Sequence, residues 1–299
     1  MGVGTDPEDL AQAVAVFTGV RPRLFGIAYR MLGSAAEAED LVQDVWLRWQ
    51  TYDRATVTNP GAFLATTATR LAINALQSAR VRHETYVGPW LPEPVDTSAD
   101  PYLGAERGEA LELAVLLLME RLTPHERAAY VLREAFDYPY PRIAEILRSS
   151  EAAVRQLVSR ARRHVAGDRR EPVSAAERQR LLATFLDAAR SGDLDSLEEL
   201  LAADVVSYTD GGGIRGASRV PVVGAPRVAR YLRAFADRFW VGVDVAWASV
   251  NGQAGALLSR DGTVFAVLTI DASADGIHQI LWMMNPAKIT AVSAVGGRT

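Results

Sequence analysis

The stretch Ile143-Ala144-Glu145-Ile146-Leu147-Arg148-Ser149-Ser150-Glu151-Ala152-Ala153-Val154-Arg155-Gln156-Leu157-Val158-Ser159-Arg160-Ala161-Arg162-Arg163-His164-Val165 decides how the rest of the chain is read. Ile143, Ala144, Ile146 and Leu147 form one short apolar stripe, and Val154, Leu157, Val158, Ala161 and Val165 form a second, with Arg148-Ser149-Ser150 between them. Both stripes repeat at three and four residues, which predicts two short helices packed at an angle. Ser150 is placed as an N-cap and Glu151 in the first turn of the second helix. Its inward stripe then turns Arg155, Gln156, Ser159, Arg160, Arg162 and Arg163 outward. Arg and Gln at the start of such a helix can reach base edges, while Arg further along reaches phosphates. A helical hairpin with a basic exterior is the plainer alternative.

Charge supports the nucleic-acid reading. The 299 residues carry a net charge of −4, but residues 139–170 hold 8 Arg against 3 acids, whereas residues 81–138 hold 5 Arg against 11 acids. One basic block in an acidic chain points to nucleic acid as its partner. There is no cysteine, so disulfides, thiol nucleophiles and cysteine-bound metals are excluded. No glycine-rich phosphate loop followed by Lys and no dinucleotide fingerprint occurs, so no cofactor is expected. The longest apolar run, Leu113 to Met119, is far below the roughly 20 residues of a membrane span. With acids rather than bases near the start, the expectation is a soluble cytoplasmic protein without a membrane partner.

Upstream, residues 10–80 read as helical throughout, with Gly33-Ser34 dividing two helices and Asn59-Pro60 opening a third. On 38–50, Leu41, Val42, Val45, Trp46 and Trp49 share an inner face, while Asp40, Gln43, Asp44 and Leu47 lie opposite. The next helix places Arg70, Asn74 and Arg80 near one face, a track for DNA backbone and edges. Residues 82–108 carry Gly88-Pro89, Pro92, Pro94, Pro101 and Gly104, which is linker composition. Helical periodicity restarts at Leu111, and Thr123-Pro124 caps a further helix.

Downstream the grammar changes. A helix over 175–190 and a second short one after Gly192-Asp193 precede four segments of strand character: Val241 to Val250, Gln253 to Ser259, Thr263 to Ile270 and Ile277 to Met284. Asp261-Gly262 and Asp275-Gly276 stand between apolar runs as hairpin turns. Four antiparallel strands with helices make an α+β unit.

Thr123-Pro124-His125-Glu126-Arg127 with Tyr130-Val131-Leu132-Arg133, together with the helix pair above, resembles region 4 of bacterial extracytoplasmic-function sigma factors, the −35 reader. Ala38-Glu39-Asp40-Leu41-Val42-Gln43-Asp44-Val45-Trp46-Leu47 is similar to sigma region 2.2. The C-terminal unit resembles the SnoaL-like branch of the cone fold that also houses nuclear transport factor 2. Three motifs narrow the resemblance to the subgroup with a fused SnoaL-like domain: Trp90-Leu91-Pro92-Glu93-Pro94, Asp210-Gly211-Gly212-Gly213 and Asn285-Pro286-Ala287-Lys288-Ile289.

The resemblance implies two all-α sigma domains and an α+β cone: region 2 over 8–82, a linker over 83–108, region 4 over 109–168 and a SnoaL-like domain over 174–299. It implies that Asp40, Leu41, Gln43, Asp44 and Leu47 bind core RNA polymerase. It assigns Arg70, Asn74 and Arg80 to −10 DNA, and Ser150, Arg155, Gln156, Ser159, Arg160 and Arg163 to −35 DNA. A regulatory interface is implied at Trp90, Leu91, Pro92, Glu93, Pro94, Asp210, Gly211, Gly212, Gly213, Asn285, Pro286 and Lys288, with the C-terminal domain contacting linker and region 2. Two departures stand out: Arg148 occupies the turn position usually held by glycine, and Ile214, not a basic residue, follows the glycines. Two other functions remain open at this point. One is a ligand-sensing helix-turn-helix regulator with a small molecule as partner, and the other a SnoaL-like cyclase or isomerase.

Overall fold

The computed structural model describes residues 7–84, 86–97, 111–167 and 170–293; side chains of 7, 79–84, 291 and 293 lie outside the description. The chain forms two compact units. One comprises residues 7–82 and 119–165, the other 86–97, 111–118 and 170–293.

The first unit is all helical. Helix α1 (Pro7–Leu32) pairs with α2 (Ala35–Thr51), and α3 (Pro60–Glu84) follows a short 3-10 turn. Ser34 caps α2 by accepting from the Glu37 amide at 3.1 Å. The predicted inner face is the packed one: Leu41, Val42, Val45 and Trp49 are buried, and Trp49 donates from Nε1 to the Ala13 carbonyl. Helix α4 (Leu113–Met119) is the next helix along the chain, but residues 111–118 pack with the other unit. Helix α5 (Pro124–Tyr130) opens with a capping box between Thr123 and Glu126 and continues as a π-helical turn over Val131–Ala135. Helices α6 (Tyr140–Leu147) and α7 (Glu151–Gly167) are the two short helices expected from 143–165.

Between α6 and α7, Arg148 takes the left-handed conformation, φ +51° and ψ +50°, that glycine usually supplies. Its amide and that of Ser149 return to the carbonyls of Glu145 and Ala144, which ends α6 and turns the chain.

The second unit is a helix-backed sheet. Helices α8 (Ala175–Ser191) and α9 (Leu194–Leu200) precede β1 (Leu201–Asp210), β2 (Val222–Val223), α10 (Ala225–Phe239), β3 (Val243–Val250), β4 (Gln253–Arg260), β5 (Thr263–Ser273), β6 (Gly276–Met283) and α11 (Thr290–Ser293). The six strands run in the order β2-β1-β6-β5-β4-β3. Four strands were expected, all antiparallel; the sheet adds β1 and β2, and β1 pairs with β6 in parallel. Helix α10 was also not anticipated.

One face of the sheet, with Val205, Leu258, Leu268, Ile280 and Trp282, packs against α8, α9 and α10 through Leu182, Phe185, Val228 and Leu232. Within it Phe239 meets Trp240, Phe265 and Trp282 edge to face at 5.0 to 5.7 Å, the geometry aromatic quadrupoles prefer. Successive strand residues face opposite ways, so Asp210, in register with Met283, belongs to the other face. The strand order and backing helices fit a cone of the nuclear transport factor 2 type.

Candidate functional site

The motif residues of the second unit converge on the end of β1. Asp210 is fully buried. Its Oδ2 accepts from the backbone amide of Leu91 at 2.9 Å and from Lys288 Nζ at 2.8 Å. Its Oδ1 accepts from the Tyr86 hydroxyl and from the Gly212 amide. Lys288 is 8% exposed, and Nζ also donates to the Leu91 carbonyl at 2.6 Å. The same ammonium lies 4.2 Å from the centre of the Trp90 ring and 5.0 Å from that of Tyr86. Linker residue Leu91 therefore has both backbone groups held by one buried ion pair. Buried charges persist when paired and hydrogen-bonded in this way.

Asn285 completes the arrangement. Its Nδ2 donates to the Tyr86 hydroxyl at 2.7 Å, and its Oδ1 accepts from Ala287, shaping the turn that delivers Lys288. Gly212 makes room for it. Gly212 has φ +56°, and a Cβ there would sit 2.7 Å from the Asn285 amide group; one on Gly211 would sit 2.3 Å from the Ala217 side chain. Burial raises the Tyr86 phenol above its ordinary pKa, and the hydrogen bond and charge of Asp210 raise it further.

Further along the linker, Pro92, Pro94 and Val95 are buried and Glu93 is partly buried. Asn251, in the β3–β4 turn with φ +53°, accepts from the Val95 amide at 3.0 Å and donates to the Leu111 carbonyl at 2.9 Å. Asp96 bridges Val250, and Thr97 bonds Ser249. Asn251 and Tyr86 were missed in the sequence. Asn251-Gly252 has turn composition, and nothing local marks the Asn251 side chain as a clamp. Ile214 lies in a turn, its amide bonded to the Gly211 carbonyl, and Arg215 is exposed. Pro286 is exposed at the same turn.

In the first unit, Asp40, Gln43, Asp44 and Leu47 share the solvent face of α2, with Leu47 at 53% exposure. Leu41 does not join them. It is 6% exposed and packs inward, because it lies on the apolar stripe of α2.

On α7, Arg155, Gln156, Ser159, Arg160 and Arg163 are exposed, and Ser150 caps the helix by accepting from Ala153. Arg155 stacks 4.2 Å over Tyr140 and pairs with Glu151. Arg160 is engaged by Glu126 at 2.9 Å, which ties α7 to the capping box of α5. Burial works against ionised Glu126, but hydrogen bonds from Thr123 and the Arg160 charge hold its carboxyl below the usual range.

Among the −10 residues, Asn74 is exposed on α3, and the Arg80 side chain lies outside the described residues. Arg70 does not face solvent freely. Its guanidinium donates to the carbonyls of Ile146 at 2.9 Å and Glu145 at 3.0 Å, at the C-terminal end of α6. Arg142 returns the contact to α3 through the Ala62 carbonyl and Thr66 hydroxyl. The end of the α6 dipole attracts such a cation.

The comparisons with known proteins agree with this geometry. The Sigma-70 region 2 family matches residues 16–82 and the Sigma-70, region 4 family residues 112–165. The chain is 38% identical over 296 residues to the ECF RNA polymerase sigma factor SigJ of Mycobacterium tuberculosis, covering 93% of each. It is 30% identical to the probable ECF sigma factor SigI of the same species, covering 95% of this chain and 97% of the other. The crystal structure of M. tuberculosis SigJ superposes with a TM-score of 0.75 at 32% identity, over 93% of this chain and 98% of that one. Helical reading units, a shared C-terminal sheet and identity across nearly the full length leave one assignment: the chain belongs to the extracytoplasmic-function RNA polymerase sigma factors.

Proposed function

We propose that this sigma factor, acting in the cytoplasm with core RNA polymerase and promoter DNA, is restrained in cis by the grip of its C-terminal domain on the linker. The observation that carries this is the Asp210–Lys288 pair closed around both backbone groups of Leu91. The linker joins α3 to α4, so whatever holds it limits how far the −10 and −35 readers separate. Reading the −10 and −35 elements at the same time requires the two readers to engage separate stretches of duplex. In the first unit α3 is instead bonded directly to α6 through Arg70 and Arg142. Asp40, Gln43, Asp44 and Leu47 form the polymerase-facing surface, Asn74 contributes to −10 contact, and Arg155, Gln156, Ser159 and Arg163 to −35 contact.

The C-terminal domain acts in this reading without catalysis. Its interior cavity is about 50 Å³, smaller than the ~150 Å³ that accommodates benzene. Thr209, Tyr231, Phe235, Phe239, Trp240 and Trp282 line it, and no carboxylate or imidazole does so among the described residues. His278 and Asp204 sit instead in an ion-pair cluster with Arg170. Run-off transcription by holoenzyme reconstituted with the W90A chain tests the proposal. Higher output than wild type at equal core occupancy supports it, and unchanged output rejects it.

A further inference from the structure

The Arg155 side chain is more than half exposed, yet two neighbours hold its guanidinium. One is Tyr140 at the start of α6, whose ring centre lies 4.2 Å from it. That ring carries a second guanidinium, because Arg133 stands 5.0 Å from its centre and is itself anchored by a bond from Nη1 to the Tyr138 carbonyl at 3.0 Å. The other neighbour is Glu151, one turn earlier on α7. Arg155 Nε donates to its Oε1 at 3.1 Å, and Nη2 donates to the same oxygen. Arg155 Nη1 makes no hydrogen bond among the described residues. A guanidinium has two donor edges in one plane, one along Nε and Nη2 and one along Nη1 and Nη2. Glu151 takes the first, so the second is left for a partner outside the chain.

We infer that Tyr140 and Glu151 are positioning residues that present this free edge of Arg155 to one guanine of the −35 element. The inference rests on the proposed −35 role of α7 and adds to it the base that is read and the residues that set its reader. Residues near the start of the reading helix of a helix-turn-helix reach base edges. In the major groove guanine alone presents two adjacent acceptors, O6 and N7, which match two parallel N–H donors; adenine pairs its N7 with a donor. A guanidinium already stacked and bonded loses less freedom when it docks. The carboxylates on the other paired arginines of α7 come from outside that helix, Glu126 on Arg160 and Glu134 on Arg162. Glu151 belongs to α7 itself, so its hold enters the groove together with Arg155.

Selection by holoenzyme, reconstituted with the full chain, on a promoter library randomised across both elements measures base preference position by position. R155A should relax one −35 position, at which the wild type prefers guanine by about tenfold or more. Y140A and E151A should each cut that preference by about fivefold while the other −35 positions keep theirs, and Y140F, which retains the ring, should stay within about twofold of wild type. Circular dichroism of each variant checks its folding. Full guanine preference in both Y140A and E151A, a loss spread evenly over the −35 element, a Y140F as relaxed as Y140A, or a base other than guanine at the position that R155A relaxes would overturn the inference and leave the −35 role of α7 standing. A −35 profile that R155A leaves unchanged would overturn the contact assigned to Arg155, and the inference with it.

Discussion

Lys288 Nζ stands 2.8 Å from Asp210 Oδ2, and both groups are at least nine-tenths buried at the point where the linker crosses the end of β1. Removing one member leaves the other buried and uncompensated, which typically costs about 3–5 kcal/mol. D210N should therefore lower the unfolding midpoint of the second unit. The double variant D210N/K288M should recover part of the loss, because it leaves no unpaired charge. Denaturant melts of the two single variants and the double variant check this; strictly additive losses would contradict the pairing.

The amides of Leu91 and Val95 are tied to Asp210 and Asn251 respectively. Hydrogen exchange should report strong protection at both positions in the wild-type chain. Asn251→Ala should release Val95 by at least tenfold in exchange rate with less change at Leu91, because separate side chains hold the two amides.

Arg148 pays about 1 kcal/mol of steric strain for its left-handed conformation at the end of α6. R148G should raise the stability of the first unit by a few tenths to about 1 kcal/mol, the upper figure reduced by the greater freedom of glycine in the unfolded chain. A melting temperature below wild type would show that the Arg148 side chain contributes more than its backbone costs.

Glu126 has its folded pKa depressed, so its contribution is fully present above the ordinary carboxylate range and is lost as pH falls through the depressed value. Between about pH 5 and pH 3 the wild-type first unit should lose stability more steeply than E126Q, which cannot titrate there. Unfolding free energies across that window, measured for both, decide the matter; parallel curves would remove Glu126 from the acid response.

Much of this was legible in the sequence for identifiable reasons. The α6–α7 pair declared itself because a period of 3.6 runs on both sides of a polar break. The hairpins β4–β5 and β5–β6 declared themselves through Asp261-Gly262 and Asp275-Gly276, where Asp261, Gly262 and Gly276 all take positive φ. Strand β1 was hidden because its alternation fails over Leu201 to Asp204, where its register with β6 also shifts. Its parallel pairing is a long-range relation that no local pattern carries. Helix α10 was masked by the glycine-rich stretch before it and by Pro226, which is in fact a first-turn proline.

At the site, the three motifs named the right neighbourhood but not its chemistry. Nothing local to Lys288 marks it as buried, since only the fold packs it against Trp90 and Asp210. Leu41 was grouped with its polar neighbours although its own helical face turns it inward. Arg70 and Arg160 read as DNA contacts by residue type, whereas the carbonyls of α6 and the carboxylate of Glu126 engage them in this arrangement.

The central claim is that the grip on Leu91 restrains transcription, and the most direct measurement is run-off transcription by holoenzyme carrying K288M, with folding and core occupancy matched to wild type. The account predicts output raised severalfold with promoter preference unchanged, because the exposed residues of α3 and α7 proposed to contact DNA are left unaltered. Output equal to or below that of wild type, with the linker amides shown by hydrogen exchange to be released, would contradict it.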